Sequence, residues 1–311
     1  MTDASLRAGA VVVAFALDRL FGEPPARLHP VVWMGKALGA IGAPWPRLPP
    51  SGQFLCGAAA WIAGGGAVLA VAALTVAMLG RLAQLPPWTL LAQVLLLAIL
   101  LKPLLAWRML RDEVAAVESA LATGLEEGRQ RLRRLVSRDT QRLSAGEIRE
   151  SALESLAENL NDSLVAPLFW FSLGGLPAAA LYRFANTADA MWGYRDRWEW
   201  AGKWAARADD ALSYVPARLT ALLLALTGRR SPRGLGVVAR VTPSPNGGWP
   251  MGMLALALGV RLRKPGVYAL NAEGLEPSVT DTERALGICT RAAWLAVAIS
   301  AAVLALLGWR G

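Results

Sequence analysis

The sequence predicts an all-α, polytopic membrane protein: about four transmembrane helices, further re-entrant or interfacial helices, and a helical cytoplasmic segment, within one integral-membrane domain over residues 1–311. Three observations lead there. Apolar residues make up 55% of the chain and the mean hydropathy is +0.38, too apolar for one or two soluble domains. Several runs exceed the roughly 20 apolar residues that a helix needs to cross a hydrocarbon core. The acidic and amide side chains able to do chemistry concentrate between Ser137 and Pro216, beside such runs, where they are costly unless they hold something positive.

In chain order, Leu6 to Leu17 is apolar but is cut short by Asp18 and Arg19. It lacks a basic segment followed by a small-residue cleavage site, so it reads as an uncleaved helix with Asp18 at a membrane face. Gly22 to Gln53 is a Pro- and Gly-rich connection. Residues 54–79 carry no charge and form the first span; a tight turn at Arg81 to Pro87 leads to a second over 88–110, whose Lys102 and Arg108 snorkel or face protein. Arg111 to Asp162 reads as helical and soluble, with apolar Val114, Val117, Leu121 and Leu125 at helical intervals and a basic patch at Arg129, Arg131, Arg133 and Arg134 favouring the cytoplasmic face. Ser163 to Tyr182 is long enough to cross, yet Pro167, Gly174, Gly175 and Pro177 interrupt it. A crossing would put the acids on its two sides on opposite faces of the bilayer, so a broken, re-entrant or interfacial helix is expected. Leu219 to Thr227 and Met251 to Val260 are too short to cross unaided, and 285–308 forms the last span.

The net charge of +9 is spread over loops and span ends, and the 13 Trp outnumber 6 Phe and 4 Tyr. That pattern fits interfacial anchoring in lipid rather than nucleic-acid binding. Cys56 and Cys289 lie in apolar spans and read as small buried thiols. With His29 the single histidine, any metal must be held by oxygen.

Glu150, Glu154, Glu158 and Asp162 recur every four residues, so neighbouring pairs share a helix face. No Lys or Arg lies between 150 and 162 to offset their repulsion. A solvated acidic face explains Glu150 equally well; Glu154, Glu158, Asn159 and Asp162 run straight into apolar sequence, where magnesium or a magnesium-bound phosphate would relieve the cost. Asn186 and Asp189 can share a face, with Arg183 a turn earlier and Tyr194 and Arg195 beyond Gly193, and could orient a substrate or a metal-bound water. Adjacent Asp209 and Asp210 point about 100° apart on a helix, so one could hold metal while the other orients a ligand or pairs with Arg207 or Arg218. Arg218 suits phosphate or carboxylate. Ser244 to Pro250, with Asn246 and Gly247, combines turn formers with glycines that let N–H groups converge on an anion, although a plain turn is commoner. His29, in its Pro-rich loop, could serve as base or donor, or be structural. No Walker A, dinucleotide fingerprint or serine-triad signature is present.

Together, LDRLFGEPPARLHPVVWMG, SRDT, ESLAENLNDSLVAPLFW, YRFANTADAMWGYRDRW, ARADDALSYVPARLT and SPNGGWP, in this order, resemble the membrane-bound adenosylcobinamide-phosphate synthase family of cobalamin biosynthesis, CbiB or CobD. Glu23, Ser213, Gly247 and Trp198 depart from its usual Asp, Asn, Ala and Tyr. The resemblance implies an ATP-dependent amide ligase joining adenosylcobyric acid to an aminopropanol or its phosphate. It also implies magnesium and a multispanning bacterial inner-membrane location; the arginine-rich segment favours a site facing the cytoplasm, and anchoring could serve product hand-over to other enzymes of the pathway. On that basis Glu154, Glu158, Asp162 and Asp209 or Asp210 would hold magnesium and phosphate. Substrates would be bound by His29, Arg138, Asp139, Asn159, Asn186, Asp189, Tyr194, Arg195, Arg218, Asn246 and Gly247, with active-site helical segments at 111–162 and 183–218. The competing class is a transporter or membrane sensor without catalysis, which would set its ionisable groups at mid-bilayer within broken helices.

Overall fold

A computed structural model describes residues 3–82, 89–193 and 198–309. Helix α1 (Asp3–Phe21) precedes α2 (Pro30–Gly42), which starts with Pro at its first position and is capped by His29. The segment read from sequence as a connection thus contains a helix. After a 3₁₀ turn at Trp45–Arg47 come α3 (Pro50–Leu82) and α4 (Leu90–Leu101). Most of the turn expected at Arg81 to Pro87 lies outside the described residues.

Pro103 interrupts the second apolar run, because its ring cannot donate to the helix: Lys102–Leu104 tightens into a 3₁₀ turn and Leu105 is extended before α5 (Trp107–Thr123). Then follow α6 (Leu125–Leu132) and α7 (Ala145–Leu160), the latter opened by a capping box between Ser144 and Glu147. A π-turn at Asn161–Val165 joins α7 to α8 (Ala166–Trp192). The interruption expected within 163–182 is real: at Gly174 and Gly175 the helix kinks, Gly175 taking φ +66° and ψ −158°, a region essentially reserved for glycine. Next are α9 (Lys203–Thr227), α10 (Leu235–Ala239), α11 (Gly248–Leu258), the two-stranded hairpin β1 (Leu262–Lys264) with β2 (Tyr268–Leu270), and α12 (Val279–Trp309).

Among the described residues four helical runs are long and apolar enough to cross a membrane: Pro50–Arg81, Leu90–Thr123, Ala145–Trp192 and Val279–Trp309. Helix α3 is apolar on all sides and leaves Leu55, Val71 and Leu74 more than 60% exposed, as a lipid-facing helix does.

The chain forms two compact units. One comprises residues 1–106, 166–212 and 297–311; the other comprises 107–165 and 213–296. In the first, Leu38, Trp45, Phe184, Trp192 and Trp198 make an aromatic core. Asp18 is fully buried there and lies 3.6 Å from Lys102, whose ammonium also reaches Glu23 at 3.2 Å; Lys102 therefore faces protein. In the second, α5, α6 and α7 bury Trp107, Leu132, Ile148, Leu153 and Leu156. Cys289 is buried and Cys56 partly so, both as free thiols.

Candidate functional site

In the second unit, α7 presents the predicted acids in sequence, and burial distinguishes them. Glu150 is fully buried, not a solvated face: its carboxylate accepts from the Arg263 backbone N–H at 2.8 Å and Nε at 3.0 Å, and lies 3.5 Å from Arg261. It anchors the hairpin. One turn on, Glu154 is 2% exposed. Its Oε2 accepts from Arg138 at 2.9 Å, while the same guanidinium reaches Ser151 at 3.3 Å. The Tyr268 hydroxyl also lies beside this carboxylate. Glu158 is partly exposed and forms no hydrogen bond or ion pair among the described residues; Asp162 and Glu154 repel its charge, and Lys264 and Arg138 attract it from a distance. Asp162 accepts from Asn161 at 2.8 Å, and Asn161 is itself held by Thr220 at 3.0 Å. The π-turn at Asn161 widens the helix, counteracting the rotation of the acidic stripe, and such bulges frequently mark functional sites. Asn159 donates back to the Ser155 carbonyl at 3.0 Å, and exposed Asp139 caps Gln141 N–H at 2.9 Å, so both are engaged locally.

The hairpin was not foreseen. Lys264-Pro265-Gly266-Val267 closes through Val267 N–H to the Lys264 carbonyl at 2.9 Å, with Gly266 at φ +73°, as a Pro-Gly type II turn requires. The Pro-Gly pair was the available signal. The turn sets Lys264 toward Glu158 and buries Tyr268 beside Glu154. Burial raises the Tyr268 hydroxyl far above its ordinary value, and the neighbouring carboxylates push it the same way, so it stays a neutral donor.

The loop predicted to receive an anion lies against this acidic face: a Cβ on Gly247 would come within 2.7 Å of Glu158 Oε1. Its Asn246 and Gly247 N–H groups are both taken by Ser244 Oγ at 3.2 Å. Anion affinity here therefore rests on Arg218. That guanidinium stacks 3.5 Å from the Tyr214 ring and 4.6 Å from Trp249, and donates to Asn246 Oδ1 at 3.1 Å and to the Pro245 and Tyr214 carbonyls. Stacking and these bonds fix its plane.

The first unit holds the remaining residues. Asn186 accepts from Arg183 at 3.2 Å and donates to Asp209 Oδ1 at 3.4 Å, so the amide links α8 to the Asp pair on α9. Burial raises the Asp210 carboxyl above the usual range. Asp189 accepts through its carbonyl from Gly193 N–H at 2.6 Å. Tyr194 and Arg195 lie outside the described residues. His29 uses both ring nitrogens: Nδ1 accepts from Val31 N–H at 3.3 Å, capping α2, and Nε2 faces Glu23 Oε2 at 2.8 Å. That ring orientation makes Nε2 the donor.

Among the described residues no three His, Cys, Asp or Glu side chains form a ready metal cage. Zinc, which takes four protein ligands in closed sites, does not fit. Magnesium does, because it is commonly held by one or two carboxylates, waters and substrate phosphates, and Glu158 and Asp162 provide oxygen donors beside the Arg218 loop.

The profile of the family described as CobD/Cbib protein matches residues 11–300. A probable cobalamin biosynthesis protein CobD of Thermococcus kodakarensis is 42% identical over 92% of this chain and 90% of its own. The cobalamin biosynthesis proteins CobD of Brucella suis and Rhodobacter capsulatus are 39% and 38% identical, over 88% and 92% of this chain and 90% and 93% of theirs. No solved structure matches significantly.

Proposed function

Because the chain belongs to the CobD/CbiB family of cobalamin biosynthesis, we propose that it is an ATP-dependent amide ligase joining adenosylcobyric acid to (R)-1-aminopropan-2-ol or its O-phosphate. The observation that carries the reading is Glu158: a carboxylate with two acidic neighbours and no bonded partner, under a loop braced by a stacked arginine. Such a group is expensive unless it meets a cation during function.

In the proposed reaction a corrinoid carboxylate oxygen attacks the γ-phosphorus of ATP, giving an acyl phosphate and ADP. The amine nitrogen then attacks the carbonyl carbon, phosphate leaves with the C–O electron pair, and the nitrogen loses a proton. Magnesium bound with the nucleotide would supply charge neutralisation on the transferred phosphoryl oxygens. In the second unit Glu158 and Asp162 would hold it; in the first, Asp209 or Asp210 is the proposed oxygen donor. Arg218 would orient a phosphate or carboxylate through its remaining donors and Arg138 would hold Glu154 in place; in the first unit, Asn186 and Asp189 would position substrate. These charges act before the reacting oxygens become fully negative, which is where fixed electrostatics lower a barrier.

The test is incubation of purified protein with adenosylcobyric acid, aminopropanol phosphate and magnesium-ATP, scored for amide product and ADP. Glu158→Ala and Asp209→Ala should abolish both while leaving the protein inserted. Near-normal turnover of either variant removes that residue from the mechanism. Substrate flux across vesicles without ATP cleavage would instead support a transporter.

A further inference from the structure

We propose that a basic cleft in the second unit, between the end of α9 and the start of α12, binds the headgroup of an anionic glycerophospholipid. The cleft has a volume of about 830 Å³ and is lined by Thr227, Gly228, Arg229, Arg284, Ile288 and Arg291, with Glu283 its one acid. Three guanidiniums against one carboxylate leave it net positive. Arg284 is partly neutralised by Asp281 at 3.1 Å, and Arg291 donates to the Thr227 carbonyl at 3.2 Å, satisfying the helix end. The Arg229 guanidinium has no partner among the described residues, and the residue is exposed.

The backbone adds an independent observation. Arg229 sits at φ +52°, the left-handed position that ends a helix and that glycine ordinarily fills. Arg230 N–H closes the turn on the Ala225 carbonyl at 3.0 Å. A non-glycine residue there is disfavoured by about 1–2 kcal/mol, a cost retained where the side chain serves a purpose.

Position selects lipid over a soluble anion. Helix α12 is long and apolar enough to cross the membrane, and its charge-free run begins at Ala292, directly after Arg291 and two turns beyond Arg284, while Arg229 lies just past the end of α9. Beyond them the surface turns apolar on both helices: Leu226 lines the cleft, Leu222 one turn earlier is 51% exposed, and Trp294 three residues past Arg291 is 52% exposed. A phosphate between guanidiniums with an acyl chain along Leu226 and Leu222 matches both halves of the surface.

The test uses the full chain purified in detergent, with native mass spectrometry after incubation with equal phosphatidylglycerol and phosphatidylcholine. Phosphatidylglycerol should be retained preferentially. Arg229→Gly also relaxes the strained turn, so its folding is not at risk; it should weaken that preference about fivefold, and Arg229→Gly with Arg284→Gln about 25-fold, at roughly 1 kcal/mol per basic residue. Arg240→Gln, outside the cleft, should leave it unchanged. Equal retention of the two lipids, an unaltered preference in the double variant, or displacement of the lipid by millimolar inorganic phosphate would each overturn the proposal.

Discussion

Replacing Glu158 by Gln removes one charge from a site that holds more negative charge than it neutralises locally, and the structure sets the sign of the consequence. Asp162 and Glu154 lie one turn away on either side, a spacing of roughly 6 Å. At an effective dielectric of 20, each ionised neighbour then repels Glu158 by about 3 kcal/mol, and by only a few tenths on a fully solvated helix. Lys264 and Arg138 return part of this, and no hydrogen bond is lost on substitution because Glu158 makes none among the described residues. The net effect on folding should be neutral or stabilising. Ligation should nevertheless fall by at least about 100-fold, the scale of removing one group that stabilises charge in a transition state. Thermal unfolding in detergent and amide formation with magnesium-ATP read the two effects separately. A midpoint lowered by several degrees would show that Glu158 is a structural strut. Turnover within about threefold of the parent would show that its exposed charge has no catalytic use.

Arg138→Met strands Glu154, which is 2% exposed, and should cost about 3–5 kcal/mol; adding Glu154→Gln should restore much of the lost thermal stability, since the stranded charge is gone. Glu150→Ala deprives the hairpin of its Arg263 clamp and should lower stability by about 1–3 kcal/mol, with faster proteolysis near Pro265–Gly266 as the local readout. Gly175→Ala forces a Cβ into a glycine-only conformation and should cost about 1–3 kcal/mol, measured as a lower unfolding midpoint of the purified protein.

Much of the helical layout was legible because it follows from local rules. Uncharged runs gave α3 and α12, and Gly174–Gly175 marked the kink in α8. The second apolar run remains long enough to cross as Leu90–Thr123, but the 3₁₀ turn that Pro103 inserts between α4 and α5 is a local detail that hydropathy does not register. The pairing of Asp18 with Lys102 was not legible, because the two are 84 residues apart and no periodicity links them. The hairpin escaped notice because its three-residue strands are too short for alternation to register, although Pro265-Gly266 announced the turn. The acidic stripe and the Ser244–Pro250 loop were both visible. Their contact through Gly247 and Glu158 was not, because it depends on tertiary packing.

The three acids that recur every four residues along α7 share one residue type, yet distant basic residues distinguish them. Glu150 is clamped by Arg261 and Arg263, Glu154 is bonded by Arg138, and Glu158 has no bonded partner among the described residues. The partners come from the loop before α7 and from the hairpin, so the same two segments that stabilise the helix's first half leave its second half electrostatically unsatisfied. Full pairing would have favoured folding and left no capacity for a positively charged ligand; full exposure would have let water screen the charge. The decline in pairing from Glu150 to Glu158 thus distinguishes, along α7, the acids that brace the fold from the one proposed to meet a cation. It also explains why Arg138→Met and Glu158→Gln, one turn apart in effect, should act in opposite directions on stability.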